Sequence, residues 1–194
     1  MYILLFGFLI FFGLHVFSSL RSRADDGDLR ARLGYIPYMA GYSVISLIGL
    51  GLIIYGYGES RGGPLLYTPP TFLQHLNSVF MLPALILLAA SEMPAGRIKR
   101  TAKHPMLLSV KLWATGHLLA NGELNSVLLF GSFLAYAVFA RIKAKKRGDN
   151  GVGDDVVLSK TADIGAILVG TGLFVILAVW LHPLLFGVQA IPVS

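Results

Sequence analysis

The sequence contains no cysteine. Disulfides, thiolate metal sites and a cysteine nucleophile are therefore excluded together. Charge is scarce too. Asp, Glu, Lys and Arg make up 13% of the 194 residues, against 55% for the hydrophobic types, and the mean hydropathy is +0.70. A soluble domain of this length does not look like that, whereas a membrane protein does. Carboxylates are scarcest inside the apolar runs. No HExxH occurs, which weighs against zinc chemistry. No GxSxG or Ser–His–Asp set supports a serine hydrolase. There is no nucleotide-binding glycine motif and no internal repeat. The net charge of +6 fits basic loops facing an anionic leaflet, and nucleic acid is not expected as a partner.

Apolar runs dominate instead. A transmembrane helix needs about 20 mostly apolar residues. Six segments are read as spans: Tyr2–Leu20, Tyr38–Tyr57, Phe72–Ser91, Pro105–Ala120, Asn125–Arg141 and Ala162–Leu181. The expected fold is all-α, a polytopic membrane bundle of about six helices in one domain over residues 1–194. The fourth and fifth spans read as short, joined into a hairpin by NGEL. The first lacks a basic n-region and an A-x-A site, so it is expected to be a retained helix. The tail PLLFGVQAIPVS is broken by prolines and expected at the interface or packed back on the bundle.

Positive charge alternates loop by loop. Arg21, Arg23, Arg30 and Arg32 fill the first loop, Arg97, Lys99, Arg100 and Lys103 the third, and Arg141, Lys143, Lys145, Lys146, Arg147 and Lys160 the fifth. The other loops and the tail share only Arg61. This predicts a bacterial inner-membrane protein with the lipid bilayer as partner and both termini periplasmic. The fifth loop is expected to be solvated and mobile, and its Asp149, Asp154 and Asp155 lack EF-hand spacing. Gly49, Gly51, Gly131, Gly165, Gly170 and Gly172 are expected to let helices pack closely.

Ionisable groups inside spans are costly and therefore informative. His15 sits in FFGLHVF, with no polar neighbour before Ser18 and Ser19; it needs a partner from another helix or a metal. Lys111 lies roughly 9 Å along a helix from Pro105. It either snorkels to the cytoplasmic surface or holds an anionic group. His104, just before Pro105, suits a helix start. His117 follows Trp113 by four residues and precedes Asn121 by four, so the three share a helix face. An interhelical hydrogen bond and a cofactor or metal ligand are both open there. His75 and His182 stand at span boundaries, with Trp180 as an interfacial belt residue. Glu92 and Asp163, at inner helix ends, read as solvated loop-edge residues. Five histidines, no thiols and few acids in a membrane point to haem held by imidazoles across a helical bundle.

The stretches FFGLHVF, YGYGESR, TPPTFLQHLNSVFMLPALILL, PAGRIKRTAKHPMLLSVKLWATGHLLANGELNSVLLFGSFLAYAVFARI and VWLHPLLFGV run in order through almost the whole chain. They resemble the NnrU family, bacterial membrane proteins associated with denitrification. The same domain occurs in the plant 15-cis-zeta-carotene isomerase. The resemblance implies haem b, with His15 and His117 as iron ligands. Lys111 or the Arg-rich inner loops would face the propionates, His104 would support a ligand or shape the helix start, Trp113 and Asn121 would be further cofactor-binding residues, and His104 and His182 match further histidines of the isomerases. It also implies two activities: reduced-iron-dependent cis–trans isomerisation of a carotenoid of the tri-cis-zeta-carotene type, or a sensor or accessory role in nitric oxide and nitrite metabolism. A cofactor-free scaffold is a third reading. Depth along the helices runs against the His15–His117 pair: with level helix ends the two differ by roughly 10 Å, and depth alone pairs His15 with His104, and His117 with His75 or His182.

Overall fold

The computed structural model describes residues 1–21 and 27–191. Among them the regular elements are helical, apart from a single bridge between Leu65 and Glu123. The chain divides into two compact units, Met1–Pro64 and Leu65–Ser194.

The first unit holds α1 (Tyr2–Leu20), the short α2 (Leu29–Leu33) and α3 (Tyr35–Glu59). Gly56 faces Leu4, Gly7 faces Ile53 and Gly49 faces Phe11, so α1 and α3 run antiparallel. Glycine sets their spacing. A Cβ on Gly56 would lie 2.4 Å from the Leu4 nitrogen, and one on Gly7 would lie 2.7 Å from that of Ile53. Without a hydrophobic drive inside lipid, such backbone contact is what holds helices together. Asp28 caps α2 by accepting from the Arg30 nitrogen at 2.9 Å, and it pairs with Arg21. Arg23 of this loop lies outside the described residues.

The second unit is built on α4 (Thr71–Glu92). It continues through α5 (Arg97–Ala102), α6 (Pro105–Ala120), α7 (Leu124–Lys146) and α8 (Lys160–Ile176), then a π-helical turn (Leu177–Leu181) into α9 (His182–Phe186). α4 packs against both α6 and α8, and α6 packs against α7. Gly116 of α6 meets Asn77, Phe80 and Met81, and on α8 Gly165 meets Met93 and Gly170 meets Ile86. Both partners of α4 therefore run antiparallel to it. Gly51, Gly131 and Gly172 have open space where a Cβ would go, so close packing accounts for Gly49, Gly165 and Gly170 but not for these three.

Among the described residues, five helices are long and apolar enough to cross a membrane: α1, α3, α4, α7 and the continuous Lys160–Phe186. The architecture is that of a polytopic helical membrane protein. The expected fourth span differs. At 16 residues, α6 is about 24 Å long against a hydrocarbon core of about 30 Å. Pro105 opens it and the Asn121–Gly122 turn ends it. α7, expected to be short, runs on past Arg141 to Lys146 because ARIKAKK is rich in strong helix formers. The tail is helical through Phe186. The π turn absorbs Pro183 at a first-turn position, where its missing N–H breaks no bond, and Gly187 stops the helix at φ +67°. The end of the tail, residues 192–194, lies outside the described residues.

The fifth loop is docked, contrary to its composition. Arg100 donates to the carbonyls of Gly153 and Val156 at 3.1 and 2.7 Å. Gly151, at φ +83°, rests against the Lys103 backbone with no room for a Cβ, and Ser159 N donates to Ala95 O at 2.8 Å. Asp163 is likewise not a solvated edge residue. Its two oxygens accept from the Arg97 and Ile98 nitrogens at 2.8 and 3.0 Å, capping α5. Lys99 closes the other side by donating to the Ser91 and Met93 carbonyls that end α4. The basic third and fifth loops thus share one end of this unit.

Candidate functional site

His117 is the most tightly placed imidazole of the second unit. Its ring stacks on Phe130 of α7, centroids 4.5 Å apart at 26°, and lies 5.5 Å from Trp113. Trp113 in turn meets Phe130 and Phe133 edge-on. Nδ1 of His117 lies 2.9 Å from the Trp113 carbonyl. A carbonyl can only accept, so Nδ1 carries the proton and the lone pair falls on Nε2. No described residue hydrogen-bonds to that Nε2. The ring is clamped, its tautomer set, and its second nitrogen left to donate electrons.

The turn beneath it is also held. Asn121 donates its Nδ2 proton to the His117 carbonyl at 2.9 Å, which caps α6. The Tyr67 hydroxyl points at the carbonyls of Leu118 and Asn121. Burial raises the Tyr67 phenol above its ordinary value, so it stays a donor. Asn121 therefore positions His117 through the main chain. Gly122 lies under Tyr67 with no space for a Cβ, which pins the α6–α7 turn.

His15, in the first unit, has its Nδ1 tethered in the same way. Its Nδ1 donates to the Phe11 carbonyl at 2.7 Å, the ring stacks on Phe11 at 4.1 Å, and Tyr42 of α3 lies 5.4 Å away. The lone pair again falls on Nε2. His182 does the same at the end of the sixth span, donating from Nδ1 to the Val188 carbonyl at 2.8 Å, and it is near enough to His117 to act on it electrostatically.

Of the other sequence candidates, Trp113 and Asn121 join His117 directly. His104 is occupied elsewhere: its Nε2 meets the Asp149 carbonyl at 3.1 Å and the carboxylate at 3.5 Å, tying the fifth loop to the start of α6. Lys111 lies on α6 within electrostatic reach of Arg141 on α7. Phe130, Tyr67 and Arg141 escaped the sequence reading. Phe130 is one phenylalanine among twelve, and Arg141 reads as the first cation of a loop because only the packing of α7 on α6 turns it inward.

Among the described residues no three His, Asp or Glu side chains come together as a metal site. A haem iron asks less of a protein, since the porphyrin supplies four nitrogens and only one or two axial ligands must come from the chain. Imidazoles with Nδ1 tied to a backbone carbonyl and a lone pair on Nε2 fit that demand, because the second-sphere hydrogen bond fixes the ligating nitrogen. No curated protein and no solved structure matches the chain. The family model described as NnrU protein matches residues 3–190, nearly the full length, and the chain accordingly belongs to the NnrU family.

Proposed function

We propose that this membrane protein binds haem b with the His117 imidazole as an iron ligand and uses it to isomerise a cis double bond of a carotenoid-like polyene. The observation that carries the reading is the His117 imidazole, clamped between Phe130 and Trp113 with its Nδ1 proton committed to a carbonyl. Trp113 and Phe130 exclude water from the ring, and Asn121 and Tyr67 hold the turn that carries it. Haem, when bound, supplies a redox-gated Lewis-acidic iron. Among the described residues, no carboxylate hydrogen-bonds to His117. A polyene and a porphyrin are both apolar and reach a helical bundle from the bilayer. The basic third and fifth loops, gathered at one end of the second unit, support a cytoplasmic placement of that end.

The experiment is the absorption spectrum of the purified protein, oxidised and dithionite-reduced, beside His117→Ala, His15→Ala and His182→Ala. Loss or shift of the Soret band is expected with His117→Ala, and isomerisation of a tri-cis polyene is expected of the reduced wild type. A shift with His15→Ala or with His182→Ala as well would identify a second ligand. A colourless wild type from haem-replete cells would overturn the cofactor assignment.

A further inference from the structure

Lys111 and Arg141 stand apart from the cations of the basic end. There, Lys99 and Arg100 are spent on carbonyls. Lys111 lies in the second turn of α6 and Arg141 in α7 ahead of its lysine-rich tail, both partly buried. The Nη1 atom of Arg141 is sealed from solvent and has no hydrogen-bond partner among the described residues. No described carboxylate pairs with either cation; the ion pairs in the described residues are Arg21–Asp28 and His104–Asp149.

The register brings the two together. His117 stacks on Phe130, and Trp113 meets Phe133, so α6 and α7 run antiparallel. Lys111 then lies level with the turn of α7 that follows Phe133, and Arg141 roughly one and a half turns nearer the basic end. Helical side chains lean towards their own N-terminus. α6 begins at the basic end and α7 finishes there, so the two side chains lean towards each other. Arg141 acts electrostatically on Lys111. Two like charges held close in an apolar bundle repel, and each is costly to keep there without an anion.

We propose that Lys111 and Arg141 form a two-cation site for the oxyanion of a membrane-borne ligand, a phosphate or a carboxylate. The guanidinium offers a planar fork with one donor already aimed inward, and the ammonium adds a point charge. The oxyanion has two possible sources. One is the phosphate of an anionic phospholipid. The other is a propionate of haem, in which case the inference rests on the function proposed above.

Native mass spectrometry of the protein released from detergent reads both sources. Wild type and Lys111→Gln/Arg141→Gln are titrated with phosphatidylglycerol and, separately, phosphatidylcholine. Haem retention is timed in parallel against a haem-scavenging globin. The double variant is expected to weaken phosphatidylglycerol binding, or to speed haem loss, by at least about tenfold, while Lys111→Arg retains either. A change confined to the lipid arm identifies a headgroup; one confined to the haem arm identifies a propionate. A colourless wild type defeats the haem assignment alone, since the lipid arm still runs. Equal lipid binding together with unchanged haem behaviour overturns the site. A lower thermal midpoint for the ligand-free double variant also overturns it, because removing an unpaired buried charge should leave the fold as stable or more so.

Discussion

Gly170 and Gly172 lie two residues apart on α8, and the structure assigns opposite signs to the same substitution at each. A Cβ on Gly170 would sit 2.4 Å from the Ile86 Cα and 2.6 Å from its nitrogen. Carbon–carbon contacts are most favourable at about 3.5–4.0 Å, so α8 would have to retreat from α4 by about 1 Å. The obstacle is backbone, which cannot swing aside. That retreat loosens the small-residue cluster of Ala89, Ala90 and the fully buried Ala166. Overpacking of this kind costs about 1–3 kcal/mol, offset by at most about 1 kcal/mol of improved helix propensity. Gly170→Ala should therefore destabilise by about 1–2 kcal/mol. Nothing lies within 4 Å of a Cβ on Gly172, so Gly172→Ala keeps only the propensity gain, about 0.5–1 kcal/mol of stabilisation. Reversible unfolding in mixed micelles against rising SDS separates the two. Shifts of the same sign would refute the claim that backbone contact with Ile86, and not helix propensity, governs this face.

Two further substitutions test the connections at the unit ends. Lys103 centres a tight turn at φ +62°, ψ −54°, with the His104 nitrogen donating to the Ala102 carbonyl at 2.7 Å; a side chain there is strained. Lys103→Gly should raise stability by about 1 kcal/mol in thermal unfolding, and a lowered midpoint would count against the strain. Asp28 is held below the usual carboxylate range chiefly by its hydrogen bond to Arg21. Its contribution to stability is present above the unfolded-state value and is lost as pH falls through the lower folded-state value. The wild type should lose stability below about pH 4 in a way that Asp28→Asn does not; superimposable pH profiles for the two proteins would sink that coupling.

Apolar run length and loop charge made the helices legible, because a bilayer demands both in the linear sequence. The ends of elements were less so. The α7 terminus was misplaced because ARIKAKK is polar and yet strongly helix-forming. The fifth loop reads as a free coil, since nothing in GDNGVGDD announces that its carbonyls meet Arg100 from 53 residues away. Asp163 has the same character: at a helix start it looks solvated until α5, which it caps, is placed beside it. The glycines divide for a related reason. Gly170 and Gly172 are indistinguishable by composition, and only the direction in which α4 lies tells them apart. In the candidate site, the helical spacing of Trp113, His117 and Asn121 was readable because it is local. Phe130 and Arg141 belong to the facing helix, and no local pattern marks them.

The tethered histidines show how a sparse donor set can still orient an imidazole nitrogen. An imidazole inside a helix has two nitrogens, and in a membrane an unpartnered one is a liability. His15 and His117 each commit Nδ1 to the carbonyl four residues earlier, the one acceptor a helix always provides at that distance. That bond offsets part of the cost of burying the ring. The same bond fixes which nitrogen can act as an electron-pair donor, and it raises the donor strength of that nitrogen. A helix with histidine flanked by aromatics at the preceding turn can thus present an oriented Nε2 to lipid-soluble partners with no carboxylate nearby. A site of this kind discriminates by what completes it. A metal ion needing three or four side-chain donors finds too few, whereas a planar macrocycle that brings its own four needs only the axial position.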